Sequence, residues 1–536
     1  MQGIFQISQA KRQSGYFQRI RSILFFGKKL PRLIQDHPNK AFFFFITTLR
    51  YIRIYVIFFN EEIINMTFNG FIDYVDGLVW GVPLMVLILA VGVWLTIRTG
   101  AQTFIVHGFK NLFSKDYNKG KGEVSPFAAL CTALSATIGT GNIVGVATAI
   151  CAGGPGALFW MEVAALVGIA TKFTECMLSV KYREFAPDGH VMGGPFYYIE
   201  KGMGKNWKWL GKLFALFGVL AGLLGIGTIT QINGITSAAQ NVFDPDASNV
   251  IFTLAAGTDS ESAITLTTII VGLIVTICAA LVIIGGLKRI SKVAEKVVPF
   301  MAVLYFVISI LLILFNLPKL PNAIYQIVYG AFCPSAVAGG IAGVTIKIAM
   351  QKGIARGIFS NEAGLGSAPI AAAAATTDDP VRQGTISMLG TFIDTIVICT
   401  LTGLSIVMTD AWEQGLSGAA VTSYAWSNGL PIPSIVASVL LMICLAFFAF
   451  TTILGWSYYS ERCLEYLVGG PKKIVKFYRI LYIAAVFIGP YLTIAAVWNI
   501  ADIFNGLMAF PNLIALAALS GVAAAEVKRY REKIKK

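Results

Sequence analysis

Charged residues are scarce. Asp, Glu, Lys and Arg together make up 13% of the 536 residues, about half the roughly 25% of an ordinary soluble domain. Hydrophobic residues reach 56%, with 53 glycines besides. A soluble chain of this length could not bury so much apolar surface, whereas a bilayer can, because a spanning helix needs about 20 mostly apolar residues. Histidine is nearly absent: His37, His107 and His190 are the whole complement, and all lie outside the apolar runs. That excludes an intramembrane histidine relay and a His-ligated metal site. The eight cysteines form no CxxC pair and most sit within apolar runs, so neither a disulfide framework nor a zinc site follows. The net charge of +14 is spread over short loops, where Lys and Arg determine topology rather than attract nucleic acid.

Apolar runs long enough to span fall at roughly 77–97, 126–150, 156–180, 210–235, 264–284, 297–317, 323–346, 384–408, 433–458, 480–498 and 504–525. They predict an all-α integral membrane protein of about eleven transmembrane helices. Every second loop is basic, from Lys110, Lys115, Lys119 and Lys121 after the first run to Lys528, Arg529 and Arg531 in the tail. The alternate loops are poor in Lys and Arg and often acidic, with Asp244, Asp246, Asp259 and Glu261, then Asp410 and Glu413; Lys319 is their only basic residue. The positive-inside rule then places the C-terminus, including the basic tail 526–536, in the cytoplasm. Residues 66–125 hold the first span and a cytoplasmic loop.

Residues 1–65 depart from this pattern. They carry ten Lys or Arg against three Asp or Glu, and their apolar stretch 41–59 has Arg50 and Arg53 at its middle. Each arginine would cost about 2.5–3.5 kcal/mol at a helix centre. The segment is expected to be a non-core extension, with Met66 as a candidate true start.

Helix interiors normally avoid glycine, yet two runs are interrupted by it. The second reads Ser135-Ala136-Thr137-Ile138-Gly139-Thr140-Gly141-Asn142. The seventh holds Pro334 and then Gly339-Gly340-Ile341. One run points outward and the other inward, and each opens a set of five, giving repeats at 126–317 and 323–525. Paired discontinuous helices in inverted repeats mark a binding site at the bilayer midplane. Unwound backbone is tolerated in hydrocarbon only where it lines a cavity or ligand. Free N–H groups at a half-helix start suit a carboxylate; free carbonyls suit an alkali cation or an ammonium group. A zwitterionic amino acid with a cation would use both. The Gly141–Gly145 spacing is also that of a helix-packing motif.

The run Gly139-Thr140-Gly141-Asn142-Ile143-Val144-Gly145, together with Gly153-Gly154-Pro155-Gly156, Thr171-Lys172-Phe173-Thr174-Glu175, Ser360-Asn361-Glu362-Ala363-Gly364-Leu365-Gly366-Ser367 and Thr451-Thr452-Ile453-Leu454-Gly455-Trp456, resembles the alanine or glycine:cation symporter family over residues 70–525. The resemblance implies the leucine-transporter-like fold, five plus five spans with one extra N-terminal span. It also implies sodium-coupled uptake of a small neutral amino acid, alanine or glycine, across the cell membrane. The coupling ion would be sodium, with no cofactor, no obligate protein partner and no nucleic acid. Carried over by motif, Thr140, Gly141, Asn142, Gln231, Thr452 and Trp456 would bind substrate, with Gly339, Gly340 and Ile341 at the second break. Ser135, Ile138, Phe448, Thr451 and Thr452 would hold sodium. Where many family members carry tryptophan, this chain has Glu162.

From the residues alone, Thr452 and Trp456 are four apart and share a helix face. Gln231 could instead make an interhelical hydrogen bond, and Thr451 and Thr452 could bond carbonyls one turn earlier. Asp394, inside the eighth run, is a functional candidate by default, either as a proton carrier or by bonding freed backbone. Residues 353–375 are too short and mixed to span and are expected at the cytoplasmic face. No nucleophile, base or metal-ligand set converges within the runs, which argues against an enzyme. Proton coupling through Asp394 or Glu162 is the alternative to sodium.

Overall fold

Nine helices are long and apolar enough to cross a bilayer, and a tenth crossing is a bent pair, among the residues that the computed structural model describes: 68–114, 120–187, 189–254, 262–333, 346–470, 472–492 and 494–535. Residues 1–65, and the expected break at Gly339, Gly340 and Ile341, lie outside these segments. The chain is an all-α multi-pass membrane protein apart from two small antiparallel pairings, Glu184–Phe185 with Val191–Met192 and Val250–Leu254 with Ser262–Thr265.

The first crossing ends in α1 (Val82–Thr99), closed by Gly100 in the left-handed conformation. Next come α2 (Pro126–Thr137) and α3 (Val144–Gly153). Ser125 caps α2, its side chain accepting from the Ala128 N–H, with Pro126 at the first helical position, where its missing N–H costs nothing. The two helices meet at a 61° bend. The unbroken α4 (Gly156–Tyr182) returns. The fourth crossing is itself interrupted, α5 (Lys208–Leu224) passing to α6 (Ile229–Phe243) through Gly225-Ile226-Gly227. Two long helices follow, α7 (Leu266–Ile283) and α8 (Gly286–Phe315).

Of the seventh expected run, residues 334–345 lie outside the described segments. Its described portion is α9 (Leu320–Phe332), 13 residues, or about 20 Å at 1.5 Å per residue. The stretch 353–375, expected at the cytoplasmic face, is instead buried in the bundle. It comprises the end of α10 (Ile346–Asn361), a turn, and α11 (Ala368–Ala373). The start of α10 lies against the end of α3, a Cβ on Gly153 falling 3.1 Å from the Ala349 Cα. Beyond α11, Ala375 forms a bridge with Val124, just ahead of α2. The segment 346–375 therefore runs the length of α2 and α3 in the opposite direction, as a second interrupted helix.

The remaining crossings are α12 (Pro380–Met408), α13 (Ser434–Val468), α14 (Lys472–Ile488) and α15 (Ile494–Ala518), before the basic α16 (Ser520–Lys535). The tenth helix begins earlier than its apolar run. Lys473, Lys476 and Arg479 lower the hydropathy of its first half, and Gly489-Pro490 ends it. Arg479 is neutralised by Glu461 of α13, Nε to Oε2 at 2.5 Å. Tail helix α16 crosses the ends of two spans: Trp94 donates to Ser520 Oγ at 3.0 Å, and Lys181 pairs with Glu526 at 2.7 Å.

Candidate functional site

The two interruptions meet. Between α2 and α3 the chain leaves helical geometry at Ile138 and Gly139 and turns through Thr140-Gly141-Asn142. Between α10 and α11, three of six residues are in the left-handed region, Glu362 (φ 56°), Gly364 (φ 88°) and Gly366 (φ 81°). Glycine reaches that region freely, whereas a glutamate there is uncommon. A Cβ on Gly141 would lie 3.2 Å from Phe359 Cδ1 and 3.3 Å from the Ser360 Cα. The absence of a side chain at Gly141 is what lets the breaks touch.

The first break is held by side chains. Asn142 Oδ1 accepts from the Gly139 N–H at 2.9 Å, closing the turn on itself, while Gln231 Oε1 accepts from the Thr140 N–H at 3.0 Å. Gln231 also donates to the Ile226 carbonyl in the α5–α6 interruption at 3.0 Å. It therefore serves two broken helices at once and makes the interhelical bond considered for it. Thr140 Oγ1 is buried without a hydrogen-bond partner.

Asn142 Nδ2 donates to Asp394 Oδ1 at 2.8 Å, and Asp394 Oδ2 accepts from Ser360 Oγ and Thr395 Oγ1, both at 2.8 Å. One fully buried carboxylate thus joins side chains from both breaks. Asn361 donates to Thr395 Oγ1 at 3.0 Å and accepts from the Ala363 N–H at 2.9 Å. Glu162 receives a bond from Thr400 Oγ1 at 2.9 Å.

Oxygens gather on the other side of the first break. Thr452 Oγ1 lies 3.3 Å from the Ile138 carbonyl and 3.1 Å from the Phe448 carbonyl, and Thr451 Oγ1 lies 3.0 Å from Phe448 O. Two carbonyls and two hydroxyls converge without a formal charge, a hard-oxygen donor set suited to an alkali cation. Ser135 is fully buried in the last turns of α2, its hydroxyl bonded to the Thr132 carbonyl at 2.7 Å. One turn along α13 from Thr452, Trp456 Nε1 donates to Glu362 Oε1 at 2.7 Å. Ser367 Oγ donates to Glu362 Oε2 at 2.5 Å.

Of the residues expected from sequence, Ile138, Thr140, Gly141, Asn142, Gln231, Phe448, Thr451, Thr452 and Trp456 are all brought to this one region. Sequence reasoning did not assign Ser360, Asn361 or Glu362 to it. Their signal was a glycine-rich interruption flanked by polar residues, the same type as Gly139–Asn142. Two arginines flank the site. Arg356 makes a bidentate pair with Asp502 of α15 (Nη1 to Oδ1 2.9 Å, Nη2 to Oδ2 2.8 Å), its guanidinium between Phe359 and Trp498. Toward the start of α2, Arg183 donates to the carbonyls of Ala373 and Ala375 at 2.7 Å each.

Comparison with known proteins gives a consistent result. Residues 65–536 match the model of the sodium:alanine symporter family. An uncharacterized transporter of Haemophilus influenzae is 50% identical over 88% of this chain and 98% of its own length. The sodium/alanine symporter AgcS of Methanococcus maripaludis is 42% identical over 87% of this chain and 98% of its length. Among solved structures, MhsT in complex with L-phenylalanine matches 76% of this chain and 98% of its own, with a TM-score of 0.48 and 13% identity.

Proposed function

The chain belongs to the sodium:alanine symporter family, whose members are cation-coupled amino-acid symporters rather than enzymes, and we propose that it carries alanine or glycine into the cell together with sodium. The observation that carries this reading is the meeting of two oppositely directed interrupted helices beside an uncharged cluster of oxygens. In this reading Ile138 O, Phe448 O, Thr451 and Thr452, with Ser135 nearby, receive sodium. The backbone turn at Gly141 and Asn142 takes the substrate carboxylate. The carbonyl end of α10, at Phe359–Asn361, takes the ammonium role that Gly339, Gly340 and Ile341 were expected to fill, because a helix C-terminus carries partial negative charge. Gln231, Thr452 and Trp456 bound the pocket, and the closeness of Gly141 to Phe359 favours a small side chain.

Transport proceeds by alternating access between repeats 126–317 and 323–525, in the plasma membrane with the C-terminus cytoplasmic, as the loop charges favour. The membrane potential contributes about 2.3 kcal/mol per charge per 100 mV. Proton coupling through Asp394 is the weaker reading, because both its oxygens already accept donors, an arrangement suited to a fixed carboxylate. Uptake of labelled alanine and glycine into proteoliposomes, with a sodium gradient or a proton gradient imposed separately, tests it. Accumulation driven by protons alone contradicts the sodium reading.

A further inference from the structure

Glu362 is a fully buried carboxylate to which the transport reading gives no task. It stands in the turn between α10 and α11, in a left-handed backbone conformation (φ 56°) that side chains rarely adopt. Its two oxygens have separate partners. Oε2 accepts from Ser367 Oγ, across the same turn, at 2.5 Å, and Oε1 accepts from the indole N–H of Trp456, on α13, at 2.7 Å. An indole has one donor and no acceptor, so this bond fixes which way the ring lies. The ring is otherwise bordered by small or flat surfaces: a Cβ on Gly222 would fall 3.6 Å from its Cε3, and Tyr459 meets it edge-on at 5.7 Å. The indole has a single donor, so loss of this bond removes its polar anchor to the second interruption.

We propose that Glu362 is a specificity-determining positioning residue: its carboxylate ties the Trp456 indole to the second interruption, and the ring so held sets the largest side chain the site accepts. The inference rests on the reading of Trp456 as a pocket wall.

Two conservative variants separate positioning from charge. E362Q keeps the chain length and an acceptor oxygen; E362D keeps the charge but withdraws the carboxylate by one methylene. Inhibition of labelled alanine uptake by glycine, alanine, 2-aminobutyrate and leucine is measured in proteoliposomes. The proposal predicts that E362Q stays within about twofold of the unaltered protein in its alanine-over-leucine preference. E362D loses about tenfold of that preference, equivalent to about 1.4 kcal/mol. S367A, which frees the second oxygen, shifts the preference in the same direction and decides the matter if E362D does not reconstitute. A preference unchanged in E362D or S367A, or lost in E362Q while kept in E362D, overturns the proposal. W456A tests the premise separately: if removal of the ring leaves the preference intact, Trp456 is no pocket wall and the underlying reading fails instead.

Discussion

The hydroxyl of Thr452 lies 3.3 Å from the carbonyl of Ile138, although the two residues are 314 positions apart in sequence. That contact joins the straight helix α13 to the bend between α2 and α3 at the point where backbone oxygens are freed. T452A removes the one side chain among the described residues that reaches both the Ile138 and Phe448 carbonyls. It is expected to raise the sodium concentration for half-maximal uptake by about tenfold, or about 1.4 kcal/mol, while T452S stays near the unaltered value. Sodium titration of alanine uptake checks this; a sodium dependence unchanged in T452A contradicts the cation-site reading.

Gly139 has no room for a side chain. A Cβ there would stand 2.5 Å from Thr452 Oγ1 and 3.0 Å from Gln231 Oε1, whereas one on Gly141 would meet Phe359 at 3.2 Å. Overpacking of this kind costs about 1–3 kcal/mol. G139A should abolish sodium-dependent uptake, and G141A should reduce it less. Equal uptake in both variants and the unaltered protein would show that the breaks tolerate separation.

The bond between Asn142 and Asp394 predicts an asymmetry. N142D places two carboxylates where a donor and acceptor now stand 2.8 Å apart, and like charges at that distance repel strongly in a buried site. D394N keeps an acceptor for Asn142, and the Ser360 and Thr395 hydroxyls can reorient to accept. N142D should therefore lose uptake while D394N retains a measurable fraction. The reverse order would favour Asp394 as a proton carrier.

Arg356 and Asp502 tie the second interrupted helix to α15 through a buried bidentate pair. Removing one partner of such a pair typically costs about 3–5 kcal/mol, while replacing both with apolar residues is often neutral. R356M alone should lower thermal stability in detergent, and R356M with D502L should restore most of it. If the double variant is no more stable than the single, the pair is not an isolated energetic unit.

Much of this was legible in the sequence, and what was passed over has physical causes. The first break was readable because Gly139, Gly141 and Asn142 interrupt an otherwise apolar run. The second was sought at Gly339-Gly340, which lie outside the described residues; the interruption at Glu362–Ser367 was passed over because Lys347, Lys352 and Arg356 depress the hydropathy of α10. Hydropathy charges an arginine its full cost whether or not it is paired, and Asp502, 146 residues away, neutralises this one. Asp394 was recognised as exceptional, yet its partners Asn142 and Ser360 lie 252 and 34 residues away and no local pattern names them. Thr452 and Trp456 were placed on one face by spacing alone, but the grip of Glu362 on Trp456 required the fold.

The most direct test of the account is labelled alanine uptake into proteoliposomes bearing the unaltered protein, with an inward sodium gradient or with choline in place of sodium, and no pH gradient. The account predicts accumulation above the external concentration with sodium, and none with choline. Equal uptake in both conditions would contradict sodium-coupled symport.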